Sequence, residues 1–140
     1  MWKYEYQAKL ISIKEAAEKV ESGDVVATGL AIGSASPDIF HAILDRWQEL
    51  KGVKILDTIG IYPFKFQDPE FMLLLDGHIN YMPAFSIATG RRMNTTKQAD
   101  FYPIMSSDLA DKVWHRADVF ITQVTPPNSA GYVNLGLTNF

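Results

Sequence analysis

Apolar and polar positions divide this chain into two kinds of segment. Short apolar runs rich in β-branched residues have the length and composition of strands that are buried on both faces. Segments with apolar residues three and four positions apart are typical of helices with one buried face. The runs predict strands at residues 24–30, 53–60, 78–82, 117–124 and 131–138. The helical spacing predicts helices at residues 13–21, 37–50, 69–75 and 107–116, and residues 89–99 are left as helix or loop.

Polar residues mark where three of these helices begin. Ser12 and Glu15 have the spacing of a capping box, in which each side chain binds the backbone N–H of the other residue. Ser36 followed by Pro37 places a capping hydroxyl and then a proline at the first helical position. The pair Asp68-Pro69 has the same arrangement. The sequence therefore predicts helix starts at residues 13, 37 and 69.

The order of the elements predicts the fold class. Strands alternate with helices, which indicates parallel pairing with helical crossovers. We therefore expect one α/β domain over residues 1–140, with an open, mostly parallel sheet and flanking helices. The chain stops directly after the strand predicted at residues 131–138, although a parallel sheet needs cover on both faces. Either a partner supplies that cover, or this is the front part of a longer protein.

The composition is that of an ordinary folded domain. Of 140 residues, 47% are hydrophobic and 21% are charged, which leaves enough apolar surface for a core. The net charge of −3 offers no basic field to a nucleic acid, and no apolar run reaches the roughly 18 residues of a membrane span. We therefore expect this chain to bind neither a nucleic acid nor a membrane. The absence of cysteine excludes disulfides, thiolate nucleophiles and cysteine-ligated zinc, and it fits a cytoplasmic location.

Two segments are candidates for ligand binding. The loop from Gly29 to Pro37 joins a predicted strand to a helix start, so it is either an anion or carboxylate site or a plain turn with a good cap. Its spacing matches neither the dinucleotide fingerprint nor the P-loop. The segment from Thr125 to Asn128 stiffens the tip of a strand with two prolines, as the wall of a ligand cleft or as a rigid turn.

Catalytic residues are not indicated in this chain. The six glutamates lie mostly on predicted helices, and none lies in a small-residue turn, where a nucleophilic carboxylate would need oxyanion donors beside it. Ser34 and Ser36 have no histidine and carboxylate nearby in the sequence to form a triad. The three histidines match no metal-ligand spacing, so we expect no metal site.

Several stretches together resemble the amino-terminal half of the acetyl-CoA hydrolase/transferase family, of the 4-hydroxybutyrate and butyryl CoA-transferase type. The similar stretches are Ser12 to Gly23, Gly29 to Pro37, Arg91 or Arg92 with Asn94, Ala99 to Ser106, and Ala117 to Pro127 followed by Gly131 to Gly136. They occur in the family's order over nearly the whole chain. Where the family carries acidic and basic or histidine residues before the signature glycine, this chain has Asn128, Ser129 and Ala130.

The resemblance implies a NagB/RpiA/CoA-transferase-like fold and the transfer of CoA between carboxylic acids through a glutamyl-CoA thioester. It implies that the catalytic glutamate lies in a second, carboxy-terminal domain beyond residue 140, so this chain alone is expected to be inactive. Acyl-CoA and a carboxylic acid are the implied substrates, no cofactor is permanently bound, and the assembly is a homo-oligomer. The alternatives are an acyl-CoA hydrolase and a non-catalytic ligand-binding or assembly domain.

The resemblance also implies that this half supplies part of an acyl pocket. The residues predicted to bind substrate are Gly33, Ser34, Ala35, Ser36, Pro37, Thr125, Pro126, Pro127 and Asn128. This hypothesis requires the two segments to lie at the same end of the sheet.

Overall fold

The fold is built on one parallel sheet with helices on both faces, in a computed structural model that describes residues 2–30, 34–61 and 65–136. Within these ranges the strands are β1 (Val25–Thr28), β2 (Val53–Asp57), β3 (Ile79–Pro83) and β4 (Val119–Ile121). The helices are α1 (Trp2–Lys9), α2 (Ile13–Ala17), α3 (Pro37–Leu44), α4 (Pro69–Leu74), α5 (Ala88–Thr95) and α6 (Leu109–Lys112). Short 3-10 turns occupy Lys65–Gln67, Ser106–Asp108 and Trp114–Arg116. The predicted α/β class is confirmed.

The sheet has the strand order β3-β2-β1-β4, and all three pairs are parallel. The chain first moves outward from β1 through β2 to β3. It then returns to place β4 on the other side of β1, where Thr28 pairs with Ile121. The strand order therefore reverses between β1 and β4, and in open α/β sheets ligands bind at such a reversal, outside the carboxyl ends of the strands.

Each face of the sheet carries its own apolar cluster. Val26 and Ile55 belong to the larger cluster, which α3 covers with the fully buried Phe40. Ala27, the next residue along β1, belongs to the other cluster, together with Leu109 of α6. Because neighbouring residues of a strand point to opposite faces, this division explains why the strands read as continuous apolar runs rather than as alternating ones.

The predicted helix starts are confirmed by their caps. The Glu15 N–H donates to the Ser12 hydroxyl at 3.2 Å, and the Ser12 N–H donates to the Glu15 carboxylate at 2.8 Å, which completes the capping box. The Asp38 N–H donates to the Ser36 hydroxyl at 3.3 Å at the start of α3. Asp68 caps α4 in the same way. Residues 89–99, left open by the sequence, are mostly helical in α5.

Two helices end earlier than the sequence predicts. α2 stops at Ala17, where the Arg46 guanidinium donates to the backbone carbonyls of Ala17 and Val20 at the end of the helix. α3 stops at Leu44, and the chain continues to Leu50 through turns in which most N–H groups bind the carbonyl three residues back. The boundaries therefore depend on a tertiary contact and on tighter coiling, neither of which a pattern of apolar positions contains.

The strand predicted at residues 131–138 is wrong over 131–136, and its last two residues lie outside the described part. The segment folds back instead, with the Thr125 N–H donating to the Asn134 carbonyl at 2.9 Å. The Asn128 carboxamide oxygen accepts from two backbone N–H groups of the following turn. Asparagine side chains thus take backbone donors that a strand would have used in its ladder.

The amino-terminal helix α1 was not predicted, because it buries none of its residues and so has no apolar stripe. Its Trp2 ring packs on Gly131 in the turn after the two prolines. Gly131 has φ of +90°, and a Cβ added there would lie 2.8 Å from Cγ of Trp2. Glycine is therefore needed at this position both for its backbone conformation and for its lack of a side chain.

We predict that Gly131→Ala lowers the free energy of unfolding by about 1–3 kcal/mol, because it combines an unfavourable φ with a clash. In a Trp2→Ala background the same substitution should cost only about 1 kcal/mol, since the ring is gone. Gly77→Ala is the control for the backbone cost alone, because Gly77 has φ of +73° and open space around it. Urea unfolding measures all four variants. Equal losses with and without the Trp2 ring would contradict the contact.

Candidate functional site

Gly29 lies where β1 ends beside β4, and its peptide groups connect three strands. The Gly29 N–H donates to the Ile121 carbonyl at the end of β4, at 3.1 Å. The Gly29 carbonyl accepts from the hydroxyl of Thr58, directly after β2, at 3.1 Å. The Thr28 hydroxyl also lies within reach of this carbonyl, at 3.3 Å. The loop from Gly29 to Pro37, called the glycine loop below, therefore starts at a fixed point where the strand order reverses.

The first predicted binding segment follows Gly29. Gly33 lies outside the described residues, whereas Ser34 and Ala35 are both buried, at 1% exposed. Ser36 is the N-cap of α3, and Pro37 is its first residue, as predicted. Whether these residues bind a substrate stays a prediction.

Ser36 already occupies the first backbone donors of α3. The Asp38 N–H donates to its hydroxyl, and the Ile39 N–H donates to its carbonyl at 3.2 Å. Pro37 has no N–H. Donors for an anion would therefore come from the loop before the helix rather than from its first turn.

Ser34 provides one such donor. Its hydroxyl oxygen is buried and has no hydrogen-bond partner among the residues that the structure describes. A buried hydroxyl without a partner costs about 1–3 kcal/mol, and such exceptions call for an explanation. A ligand oxygen at the loop would supply the missing partner.

The second predicted binding segment follows β4 at the same edge of the sheet. Thr125, Pro126 and Asn128 are exposed, and Pro127 is partly buried. Thr125 is fixed through its hydroxyl, which accepts from the Asn134 N–H at 2.9 Å. The described contacts join this segment to the glycine loop through the ends of β4 and β1 rather than directly. Its part in a substrate pocket stays a prediction.

A buried polar cluster, not predicted from the sequence, lies beneath this edge. Asp57, at the end of β2, is 1% exposed. Its Oδ1 accepts from the Thr28 hydroxyl at 3.1 Å, and its Oδ2 accepts from the Tyr81 hydroxyl of β3 at 2.6 Å. The Phe66 ring stacks on Tyr81 with 4.7 Å between ring centroids, which keeps the cluster apolar on its outer side. An acidic residue inside the apolar run predicted as a strand at residues 53–60 was the available signal.

Burial changes the acidity of this pair. It raises the pKa of the Asp57 carboxyl, and hydrogen bonds from Tyr81, from Thr28 and from the Thr58 N–H oppose that rise only in part. Burial, followed by the nearby Asp57 charge, raises the pKa of the Tyr81 hydroxyl well above its ordinary value. A carboxyl with a raised pKa at a strand end is typical of functional sites.

Two other polar residues considered in the sequence, Asn94 and His78, make contacts within the domain. The Asn94 carboxamide of α5 donates to the Ser86 hydroxyl at 2.8 Å, while its oxygen is buried without a partner. The His78 ring lies 2.7 Å from the Leu50 carbonyl. In the described residues no group of three histidine, aspartate or glutamate side chains could hold a metal ion. Nor is any helix in the described ranges long and apolar enough to cross a bilayer.

An open groove of about 570 Å³ lies elsewhere, near the starts of β2 and β3. Lys54, Asp76 and Asn80 are among the residues that line it. Because parallel α/β sheets bind ligands at the carboxyl ends of their strands, we assign this groove no part in the candidate site.

The structure thus shows a parallel α/β domain in which a small-residue loop and a proline-stiffened tip follow two neighbouring strands at one edge of the sheet. The family model of the acetyl-CoA hydrolase/transferase N-terminal domain matches residues 2–139. The chain belongs to this family, and the resemblance inferred from the sequence is confirmed.

Similar proteins agree with this assignment. A probable butyrate:acetyl-CoA coenzyme A-transferase of Syntrophomonas wolfei subsp. wolfei is 45% identical over 137 residues, covering 94% of this chain and 29% of that protein. The crystal structure of RipA from Yersinia pestis superposes with a TM-score of 0.73 at 21% identity, covering 96% of this chain and 33% of RipA. A RipA variant gives a TM-score of 0.75 over 97% of this chain. This chain thus spans about a third or less of these relatives, and the RipA likeness concerns the fold alone.

We predict that Asp57 makes the free energy of unfolding fall as pH rises. A raised pKa means that the folded chain holds the proton more tightly than the unfolded chain does. Stability therefore decreases from about pH 4 up to the raised pKa, by at most about 1.4 kcal/mol per pH unit, and is level above it. Asp57→Asn should remove this decrease, so the free energy of unfolding of the variant should rise relative to that of the wild type as pH increases through this window. Urea unfolding at a series of pH values measures the difference.

Tyr81→Phe is the matched control for this prediction. It removes one donor to the carboxylate and leaves Asp57 in place, so the decrease should persist and extend to higher pH. A constant difference between wild type and Asp57→Asn over the whole range would contradict the raised pKa.

Proposed function

We propose that this chain is the amino-terminal domain of a longer CoA-transferase, in which it forms one side of a pocket for the carboxylic acid being exchanged. Family membership and the coverage of only 29% of a CoA-transferase relative support this assignment. Phe120 supports the need for further cover, because this β4 residue is 48% exposed although it pairs with the fully buried Ala27.

The observation that carries the proposal is the fixed position of Gly29 at the reversal of strand order. Its N–H is held by β4 and its carbonyl by the residue after β2, so the loop that follows leaves the sheet from a rigid point. Small side chains in that loop let a substrate approach the backbone. The partnerless Ser34 hydroxyl offers a donor to a carboxylate or to the oxyanion that forms from it.

The reaction proceeds through a glutamate supplied by the rest of the protein. Its carboxylate attacks the acyl-CoA carbonyl and expels CoA thiolate, which leaves a mixed anhydride. The thiolate then attacks the glutamyl carbonyl of the anhydride, which releases the first acid and leaves a glutamyl-CoA thioester. The acceptor carboxylate repeats the two exchanges in reverse order. Each exchange passes through a tetrahedral oxyanion that needs hydrogen-bond donors.

The glutamates of this chain do not suit that role. All six are exposed. Glu15 is bound in the capping box, and Glu49 pairs with Arg46 at 3.2 Å. We therefore place the nucleophile beyond residue 140.

Butyrate and acetyl-CoA are the substrate pair that we propose to test, because the 45% identical relative is named for them. The complete gene product should convert them to butyryl-CoA and acetate. Liquid chromatography with mass spectrometry measures both products. Digestion after incubation with acetyl-CoA alone should yield a CoA adduct on a glutamate located after residue 140. A reading frame that ends at codon 140, or an adduct on a glutamate within this chain, would overturn the proposal.

Acyl-CoA hydrolysis is the alternative, because the acetyl-CoA hydrolase/transferase family is named for both activities. Release of free CoA without any acceptor acid distinguishes it from transfer. Rapid release that an added acid does not change would favour the hydrolase.

Two serines of the glycine loop give a sharper test of the pocket. Ser34→Ala removes a buried hydroxyl that has no partner, so stability should be unchanged or slightly higher, while the KM for the acceptor acid should rise about tenfold. Ser36→Ala is the matched control, because it removes the cap of α3 and should cost about 1 kcal/mol. Thermal unfolding and steady-state kinetics measure both. A loss of stability in Ser34→Ala without a change in KM would show that Ser34 is only part of the scaffold.

A further inference from the structure

The Thr28 hydroxyl lies between two acceptors and can serve only one of them at a time. It is 3.1 Å from Oδ1 of Asp57 and 3.3 Å from the Gly29 carbonyl oxygen. A hydroxyl has one proton to donate. An ionised carboxylate is the stronger acceptor of the two, because its hydrogen bonds are charge-assisted. With Asp57 ionised, the Thr28 proton therefore points to Asp57, and Gly29 keeps only the bond from Thr58.

Protonation of Asp57 reverses this choice. A proton taken up from solvent on Oδ1 makes the carboxyl a donor to the Thr28 oxygen. The Thr28 proton is then free to turn to the Gly29 carbonyl, while the Tyr81 hydroxyl continues to donate to Oδ2. The Gly29 carbonyl thus accepts two hydrogen bonds when Asp57 is neutral and one when it is ionised. No heavy atom has to move, because both acceptors already lie within hydrogen-bond distance of Thr28.

We infer that Asp57 is a positioning residue for the glycine loop, which acts through the Thr28 hydroxyl by setting whether the Gly29 carbonyl is held by one hydrogen bond or by two. Gly29 begins the loop that the proposed function assigns to the substrate pocket, so the effect on catalysis rests on that proposed function. The effect on the Gly29 peptide does not.

The groups that face Asp57 are hydroxyls and apolar side chains, and none of them carries a charge at neutral pH. From β3 it faces Tyr81, and Tyr102 lines the same small gap. β1 contributes the neutral Thr28, and α6 contributes the apolar Leu109 beside the gap. No described ion pair includes Asp57, and burial shifts its acidity toward the neutral form.

The first experiment follows the Gly29 peptide by NMR in the 140-residue chain. The ¹³C shifts of the Asp57 carboxyl and of the Gly29 carbonyl are recorded against pH. We expect both to titrate with the same midpoint in the wild type. In Asp57→Asn the Gly29 titration should vanish. A flat Gly29 signal in the wild type, or an Asp57 carboxyl that does not titrate, would overturn the inference.

Substitutions at two threonines distinguish the relay, which is the effect of Asp57 on the Gly29 carbonyl through the Thr28 hydroxyl, from general support of the loop. Thr28→Val keeps the shape but removes the hydroxyl, so the Gly29 titration should be lost, whereas Thr28→Ser should restore it. Thr58→Val removes the bond that does not depend on Asp57, so Gly29 should shift at every pH and still titrate. An unchanged titration in Thr28→Val would overturn the relay, and Thr28→Ser remains available if the valine variant does not fold.

The second experiment measures the consequence for catalysis in the complete gene product. The KM for the acceptor acid should change about three- to tenfold across the Asp57 midpoint, the size expected of one neutral hydrogen bond. The change should be absent in Thr28→Val and present in Thr28→Ser. A pH-independent KM beside a titrating Gly29 would overturn the effect on the pocket. No transfer at any pH would instead count against the proposed function and leave the NMR result standing.

Discussion

The peptide of Gly29 is the constraint on which the candidate site depends. Its N–H is bound by Ile121 of β4, and its carbonyl by Thr58 after β2, so one residue joins both neighbours of β1. Loops usually have more conformational freedom than the strands that they connect. Here that freedom is removed before the loop begins. The pocket proposed for a small carboxylate would need such a rigid origin.

Most of the fold could be predicted from the sequence, because short motifs mark where its elements begin. Ser12 with Glu15, Ser36 with Pro37, and Asp68 with Pro69 marked three helix starts, because capping needs only residues that are close in sequence. The parallel sheet followed from the alternation of elements. The helix starts were predictable because each cap depends on a few neighbouring residues, and the sheet type was predictable because it depends on the order of the elements.

The parts that could not be predicted depend on distant contacts. Asp57 was not singled out, since its role depends on Thr28 and Tyr81, which only the sheet register brings beside it. The strand expected after Gly131 failed because asparagine side chains compete for backbone donors in a way that apolar spacing does not show. The two binding segments were placed at one edge of the sheet by topology, while their contact with a substrate stays a prediction.

The pairing of β1 with β4 has a consequence for the order in which the protein assembles. Val25 and Asp118, which hydrogen bond across this pair, lie 93 residues apart in sequence. Closing this stretch costs more chain entropy than closing the shorter connections that join β1, β2 and β3. We therefore expect β4 to dock late, on a preformed three-stranded core. The segments that follow β1 and β4 would then become neighbours only in the last stage of folding.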